Sequence, residues 1–267
     1  MLKKILILPF IIGAVSVNSQ NLVRNHSFED FEECPDEVTI DSRREFIPYW
    51  YMPNKGTTDY FNSCALRQVN VPDNVMGHMF ALQGDAYAGI ILIEQPPAES
   101  KLKKPLHYRE YLQAQLTSPL KKDSLYSIQF YFCIASYSTY AVNRLGLYVS
   151  EEPVIKRLST KVIEVEPQIS LDTNRIYNDR DNWYQVCDTF RSKGDEQFIT
   201  IGNFFDDYNT EIETLDVSIY RGTIQQTINE NKLAYYYIDY VTVTPVSDTL
   251  SNYCINKFSI NKKKESN

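Results

Sequence analysis

Apolar and polar residues alternate along several stretches with the two-residue period of a strand buried on one side. The clearest is 126–135, where Ile128, Phe130, Phe132 and Ile134 fall on one side and Gln129 and Tyr131 on the other. Leu112, Ala114 and Leu116 repeat the pattern over 110–116, as do Leu145, Leu147 and Val149 over 145–149. Residues 87–93 are nearly all apolar, bounded by Gly84-Asp85 and Pro96-Pro97, and predict another strand. Two more are predicted at 184–190 and 196–201, joined by Ser192-Lys193-Gly194. The last, 234–244, is rich in aromatic and β-branched residues and is stopped by Pro245. Strict alternation there sets Tyr235, Tyr237, Asp239, Val241 and Val243 on one face. Asp239 is the misfit, because a carboxylate on a core-facing stripe is costly unless something pairs with it or coordinates it.

Between these stretches the chain is irregular. Residues 21–30 suggest a short edge strand and a turn, and 31–80 carry the breakers Pro35, Pro48, Pro53, Gly56, Pro72 and Gly77. Residues 151–182 and 206–232 are polar excursions, and no stretch keeps a helical period over three turns. Short strands with turn signals and no alternating helices predict an all-β chain, an antiparallel β-sandwich of the jelly-roll kind.

The ends have their own composition. Met1-Leu2-Lys3-Lys4, an apolar run over 5–17 and small residues before Gln20 are the parts of a secretory signal peptide, 1–19. The run is short and contains Pro9, so no transmembrane segment is expected in the mature chain. The sandwich is then expected over 20–246. A polar tail, expected to be disordered, follows over 247–267 and ends in Asn261-Lys-Lys-Lys-Glu-Ser-Asn267. Export would place the protein at the cell surface, in the periplasm or outer membrane, or outside the cell. Losing Lys3 and Lys4 takes the formal charge from −7 to −9, which argues against nucleic acid or anionic lipid as partner. Five Cys in an exported chain imply disulfides and one odd thiol. Cys34 and Cys64, both in loops, are the first expected pair. Cys133 and Cys187 lie in strand-like runs and fit buried thiols as well as partners, and Cys254 has no assigned place.

Catalytic signatures are missing. The sequence has no Gly-x-Ser-x-Gly elbow and no Walker A loop. His26, His78 and His107 are isolated, without zinc-ligand spacing. Asp206-Asp207 is the nearest carboxylate pair, but neighbours on a strand project to opposite faces and glycosidases need carboxyls flanking one bond. Glu110 beside Arg109 reads as a cross-strand ion pair. No enzyme is expected.

The 20 Tyr and 13 Phe instead suit sugar recognition, which stacks sugar C–H groups on flat aromatic faces beside a few polar groups. Trp50, Tyr51, Tyr60 and Phe61 in the loop region are candidates. So are Tyr108 and Tyr111, flanking Arg109 and Glu110, and Tyr137 with Tyr140. The rival reading is that many of these rings plug loops or core, and Trp50 favours packing. The expected function is a non-catalytic, carbohydrate-binding module. The alternative is a structural or adhesion protein of the cell envelope that binds another protein and no glycan.

One set of short signatures adds to this reading. They are Asn21-Leu-Val-Arg-Asn-His-Ser-Phe-Glu29, Thr58-Asp-Tyr-Phe-Asn-Ser-Cys64, Gly84-Asp-Ala-Tyr-Ala-Gly-Ile90, Tyr108-Arg-Glu-Tyr111, Thr200-Ile-Gly-Asn-Phe-Phe-Asp-Asp207 and Tyr236-Tyr-Ile-Asp-Tyr-Val-Thr-Val243. In this order they resemble a β-sandwich module of Bacteroidetes-type cell-envelope proteins, found ahead of OmpA-like domains. The Asn-x-Ser-Phe-Glu start and Ile-Asp-x-Val end are also similar to the galactose-binding-like jelly rolls of many carbohydrate-binding modules. That resemblance implies that the two chain ends lie side by side and share a structural Ca²⁺. Glu29 and Asp239 would be ligands, with a backbone carbonyl near Ser27 and Asp85 from the loop before Tyr87. Calcium takes six to eight oxygens, and separate loops can supply them. Read from the residues alone, Asp239 could equally accept backbone N–H groups or pair with Arg24. The chain departs from the family in having no OmpA-like domain after the module, and in having Tyr240 where a second Asp is common.

Overall fold

A computed structural model describes residues 20–43, 47–96, 105–218, 232–247 and Cys254. The predicted signal peptide and nearly all of the predicted tail lie outside the described residues. The strands are β1 (Trp50–Tyr51), β2 (Asp59–Asn62), β3 (Asp73–Asn74), β4 (Gly77–His78), β5 (Ala86–Gln95), β6 (Tyr111–Gln115) and β7 (Leu125–Ile134). They continue as β8 (Tyr140–Val142), β9 (Gly146–Ser150), β10 (Ile169–Ser170), β11 (Tyr184–Arg191), β12 (Phe198–Gly202), β13 (Ile212–Thr214) and β14 (Lys232–Pro245). One five-stranded sheet runs β1-β6-β12-β9-β10 and the other β11-β7-β14-β5-β2, with every pairing antiparallel. The expected antiparallel β-sandwich is the fold.

The alternating residues fill the space between the sheets. Ile128, Phe130, Phe132 and Ile134 of β7 meet Leu112 and Ala114 of β6 and Leu147 and Val149 of β9 in one core. The expected stripe on β14 is different. Tyr236, Ile238, Val241 and Val243 face this core, while Tyr235 and Tyr237 point away from it. The pairing of β14 with β7 shifts register between Asp239 and Thr242, and Tyr240 takes φ 52°. An inserted residue reverses the facing of everything beyond it. Asp239 therefore shares the outward side with Tyr237, opposite to Val241 and Val243.

Outward does not mean solvated. Ala65, Val69, Val71, Met76 and Met79 fold over the far side of the second sheet, burying Phe61, Tyr87, Tyr131, Cys133, Tyr235 and Tyr237. On the first sheet, Tyr111, Ile163 and Phe204 form a smaller cluster. There the Gln113 amide donates to Val154 O (2.9 Å) and accepts its N–H (2.8 Å), and Tyr111 Oη accepts the Ile163 N–H (3.0 Å). Loops thus close both outer faces. Cys34 is bonded to Cys64, and Cys187 of β11 to Cys254, leaving Cys133 as a buried thiol. Such bonds persist in an oxidising compartment.

Where β2 ends, buried carboxylates take over its pairing. Glu110 lies beside β5: Oε2 accepts the Ile91 N–H (2.8 Å), and Oε1 accepts the Tyr108 hydroxyl (2.7 Å) and the Thr57 N–H (3.0 Å). The expected Arg109–Glu110 pair does not form, because Arg109 turns to Asp207 at 2.8 Å. Asp59 accepts the Thr39 N–H (2.7 Å) and the Tyr235 hydroxyl (2.5 Å). Burial, and then the Glu110 charge, push the Asp59 carboxyl up to about 7. A carboxyl raised on folding contributes stability that is full below its unfolded value, about 4, and is lost as pH rises through about 7. Urea unfolding should therefore show Asp59 subtracting stability between pH 4 and 7. The Asp59→Asn variant should lose that fall. A wild type and variant with parallel pH profiles would contradict the assignment.

Candidate binding site

Residues 21–26 lie alongside the end of β14. Leu22 N–H donates to Val243 O (2.8 Å) and Val241 N–H to His26 O (2.7 Å), while the Asn21 side chain accepts the Val243 N–H (2.9 Å). Against this seam the β14 bulge aims Asp239, which is 0% exposed, at the loop before β5. Its Oδ2 accepts the N–H groups of Leu82 (2.9 Å) and Gln83 (3.1 Å), and its Oδ1 that of Tyr240 (2.6 Å). Glu29 holds the same loop from the N-terminal side, with Oε1 accepting from Asp85 and Ala86 (both 3.1 Å). Gly84, at φ 70°, passes so close that a Cβ would stand 2.3 Å from the Glu29 carboxyl, so only glycine fits this turn.

Of the two partners left open for Asp239, the structure shows amides. Arg24 is elsewhere. Burial raises the Asp239 carboxyl well above its ordinary range against the opposing pull of the amides, and the Glu29 charge adds to the rise. Burial also raises Glu29. Asp85 is exposed and offers its N–H here, and the Ser27 side chain is buried. Among the described residues no Lys or Arg pairs with either carboxylate, and no three His, Cys, Asp or Glu side chains gather as a metal group.

The aromatic candidates for sugar binding are dispersed, and most are structural. Tyr60 is buried and donates to Phe28 O (2.8 Å). Arg109, at 0% exposure, spends Nη1 on Asp207 and Tyr108 O (both 2.8 Å) and Nη2 on Phe205 O (2.7 Å). Tyr111 is buried against Phe204 and donates to Asn203 O (2.7 Å). Tyr140 belongs to the main core, and Phe61 to the second. Tyr108 and Tyr137 are half-buried, with Tyr108 bound to Glu110. Tyr60, Arg109, Tyr111 and Tyr140 are therefore buried in the structure and do not present an open site, while Tyr108 and Tyr137 keep part of their surface exposed.

A different group of residues is open. Arg24, Tyr49, Trp50, Tyr51 and Gln115 line a hollow of about 120 Å³ at the β1 edge. Trp50 is its floor: it is buried on Phe28 (centroids 5.1 Å apart), with Nε1 donating to Asn25 O (3.0 Å). With Trp50 turned inward, alternation along β1 sends Tyr51 to the other side, and Tyr49 precedes the strand. Tyr49, at φ 74°, is 51% exposed, and the Arg24 guanidinium lies 4.9 Å from its ring centroid. A tyrosine in left-handed backbone is uncommon, and such strain concentrates at functional sites. Arg24 has no hydrogen bond or ion pair to another described residue, so its donors are free. Pro48-Tyr49-Trp50-Tyr51 was visible as an aromatic run, but the role of Tyr49 depends on a φ angle that residue types do not announce.

No protein-family model matches the sequence, and neither does any curated protein. Among solved structures, the chain is similar to the CBM22-1 xylan-binding domain from Paenibacillus barcinonensis, with 11% identity and a TM-score of 0.37 over 86% of this chain and 96% of that one. It is similar also to the K1 cleaved adhesin domain of Lys-gingipain from Porphyromonas gingivalis, with 10% identity and a TM-score of 0.34 over 79% and 98%. A galactotriose-bound CBM61 module gives 9% identity and a TM-score of 0.36 over 85% and 100%. Likeness this loose transfers no ligand to this chain.

Asp239→Leu, similar in bulk but without acceptors, should cost about 2–4 kcal/mol, because three amides lose their partner. Asp239→Asn keeps one acceptor oxygen and should cost less. Equal losses in urea unfolding would contradict the acceptor role.

Proposed function

We propose that this protein is a non-catalytic, exported glycan-binding module that receives sugar in the hollow of Arg24, Tyr49, Tyr51 and Gln115. The observation that carries this reading is the half-exposed Tyr49 ring beside a guanidinium with no other partner among the described residues. Tyr49 offers a flat face for sugar C–H groups, and Arg24 and Gln115 offer donors for hydroxyl or ring oxygens. The two disulfides agree with export. A non-catalytic role agrees with the commitments of the acids: Asp59 and Glu110 are buried in loop anchoring, and Asp207 is held by Arg109.

The proposal includes a structural Ca²⁺ held by Glu29 and Asp239. Each carboxylate gives three acceptor contacts to amides, which leaves each about one lone-pair position of about four. Two mutually repelling acids without a Lys or Arg partner suit a cation, whose remaining ligands would be carbonyls and water. The ion would offset their repulsion at the seam of the chain ends.

Affinity electrophoresis against neutral and acidic polysaccharides tests the site. Tyr49→Ala and Arg24→Gln should each weaken binding roughly ten-fold, the scale of one lost stacking or charged contact, with melting temperature unchanged. Failure to bind any polysaccharide, or binding indifferent to both changes, would remove the glycan reading. Melting with added Ca²⁺ and with chelator tests the ion. A higher melting temperature with Ca²⁺ is expected, and identical curves would remove calcium from the account.

A further inference from the structure

The loop that covers the outer face of the first sheet has more apolar surface than covering requires. Val154 and Ile163 face inward, onto the cluster of Tyr111 and Phe204. Between them, Leu158 is 98% and Ile155 64% exposed. Their backbone is fixed: Lys156 N–H donates to Pro53 O (2.6 Å), Lys55 N–H to Ser159 O (2.8 Å), Ser159 N–H to Lys156 O (2.9 Å) and Arg109 N–H to Thr160 O (2.8 Å). A pinned turn that holds two aliphatic side chains in water loses hydrophobic free energy without a gain in the monomer.

The same turn is cationic. Lys156 and Arg157 lie between the two aliphatics, Lys161 follows, and the backbone bond from Lys55 to Ser159 brings in a fourth cation. All four are exposed, and none makes a side-chain hydrogen bond or ion pair with another described residue. Neither 53–58 nor 153–161 contains an acid. The chain's net charge of −7 therefore hides a local positive patch. Glu151, Glu152 and Glu164 flank the turn in sequence, and screening at physiological ionic strength acts over about 8 Å, so the cationic part is the tip itself, where Lys156 and Arg157 stand beside Leu158.

Aliphatic tips ringed by Lys and Arg suit one chemistry, an anionic lipid surface. The apolar groups enter the boundary of headgroup and acyl chain, and the cations meet phosphates. We propose that the 155–158 turn, with Lys55 and Lys161, docks this protein peripherally on an anionic bilayer. The proposal is independent of the hollow at Tyr49.

Co-sedimentation of the full chain with vesicles tests it. Binding should be strong on phosphatidylcholine–phosphatidylglycerol vesicles, weak on phosphatidylcholine alone, and reduced by salt. Neutralising Lys156 and Arg157 to Gln should lower partitioning roughly five-fold per charge. Leu158→Ser should lower it about ten-fold through lost burial. All three positions are exposed, and circular dichroism confirms that the variants fold. No preference for anionic vesicles, or an unaffected Leu158→Ser variant, would overturn the proposal. So would binding abolished by dextran sulfate and untouched by Leu158→Ser, which would assign the patch to a soluble polyanion.

Discussion

Three backbone N–H groups converge on one buried carboxylate, Asp239, and the seating of the 80–86 loop against β14 depends on that contact. An amide left unpaired in the interior costs about as much as a lost hydrogen bond, so the 80–86 loop can lie against β14 only if something accepts its donors. Glu29 supplies the second acceptor, from the opposite end of the chain. N-terminal segment, loop and closing strand are therefore held by two acids, and β5 begins from the loop they fix.

The same device recurs where strands stop. Glu110 replaces the missing strand partner of Ile91, and Asp59 ties Thr39 to β2. Glu196 accepts the Ser192 hydroxyl and the amides of Lys193 and Gly194 in the turn between β11 and β12. A loop-rich sandwich leaves many backbone donors without a ladder, and carboxylates can accept several at once. Asp59, Glu110, Glu196 and Asp207 thus each hold backbone or side-chain donors of neighbouring loops. With loops over both sheet faces, the exposed apolar groups among the described residues include Tyr49 at an edge and Leu158 at a loop tip, beside Ile40, Leu66 and Tyr208 elsewhere.

Much of the fold was legible: β6, β7 and β9 lie within a residue or two of where period-two alternation puts them, and β5, β11 and β12 close to the other predicted runs. The facing along β14 was not, since it turns on the φ of Tyr240. Nor could the pattern show that Tyr131 and Cys133, on the outward side, lie beneath the 63–83 loop. Nor could it show that Tyr60 and Tyr111 are buried, because a tyrosine looks alike in sequence whether its hydroxyl meets solvent or a buried carbonyl. Arg109 illustrates the limit, because its partner Asp207 is 98 residues away. Net charge, for its part, averages the cations around Leu158 into an acidic whole.

The most direct test of this account is amide hydrogen exchange on chelator-treated protein, comparing wild type with Asp239→Leu. In wild type the amides of Leu82, Gln83 and Tyr240 should be protected like those of the neighbouring strands, although two of them lie in a loop. In the variant they should exchange freely while the centre of β7 keeps its protection. Fast exchange of Leu82 and Gln83 in wild type would show that Asp239 does not hold the loop.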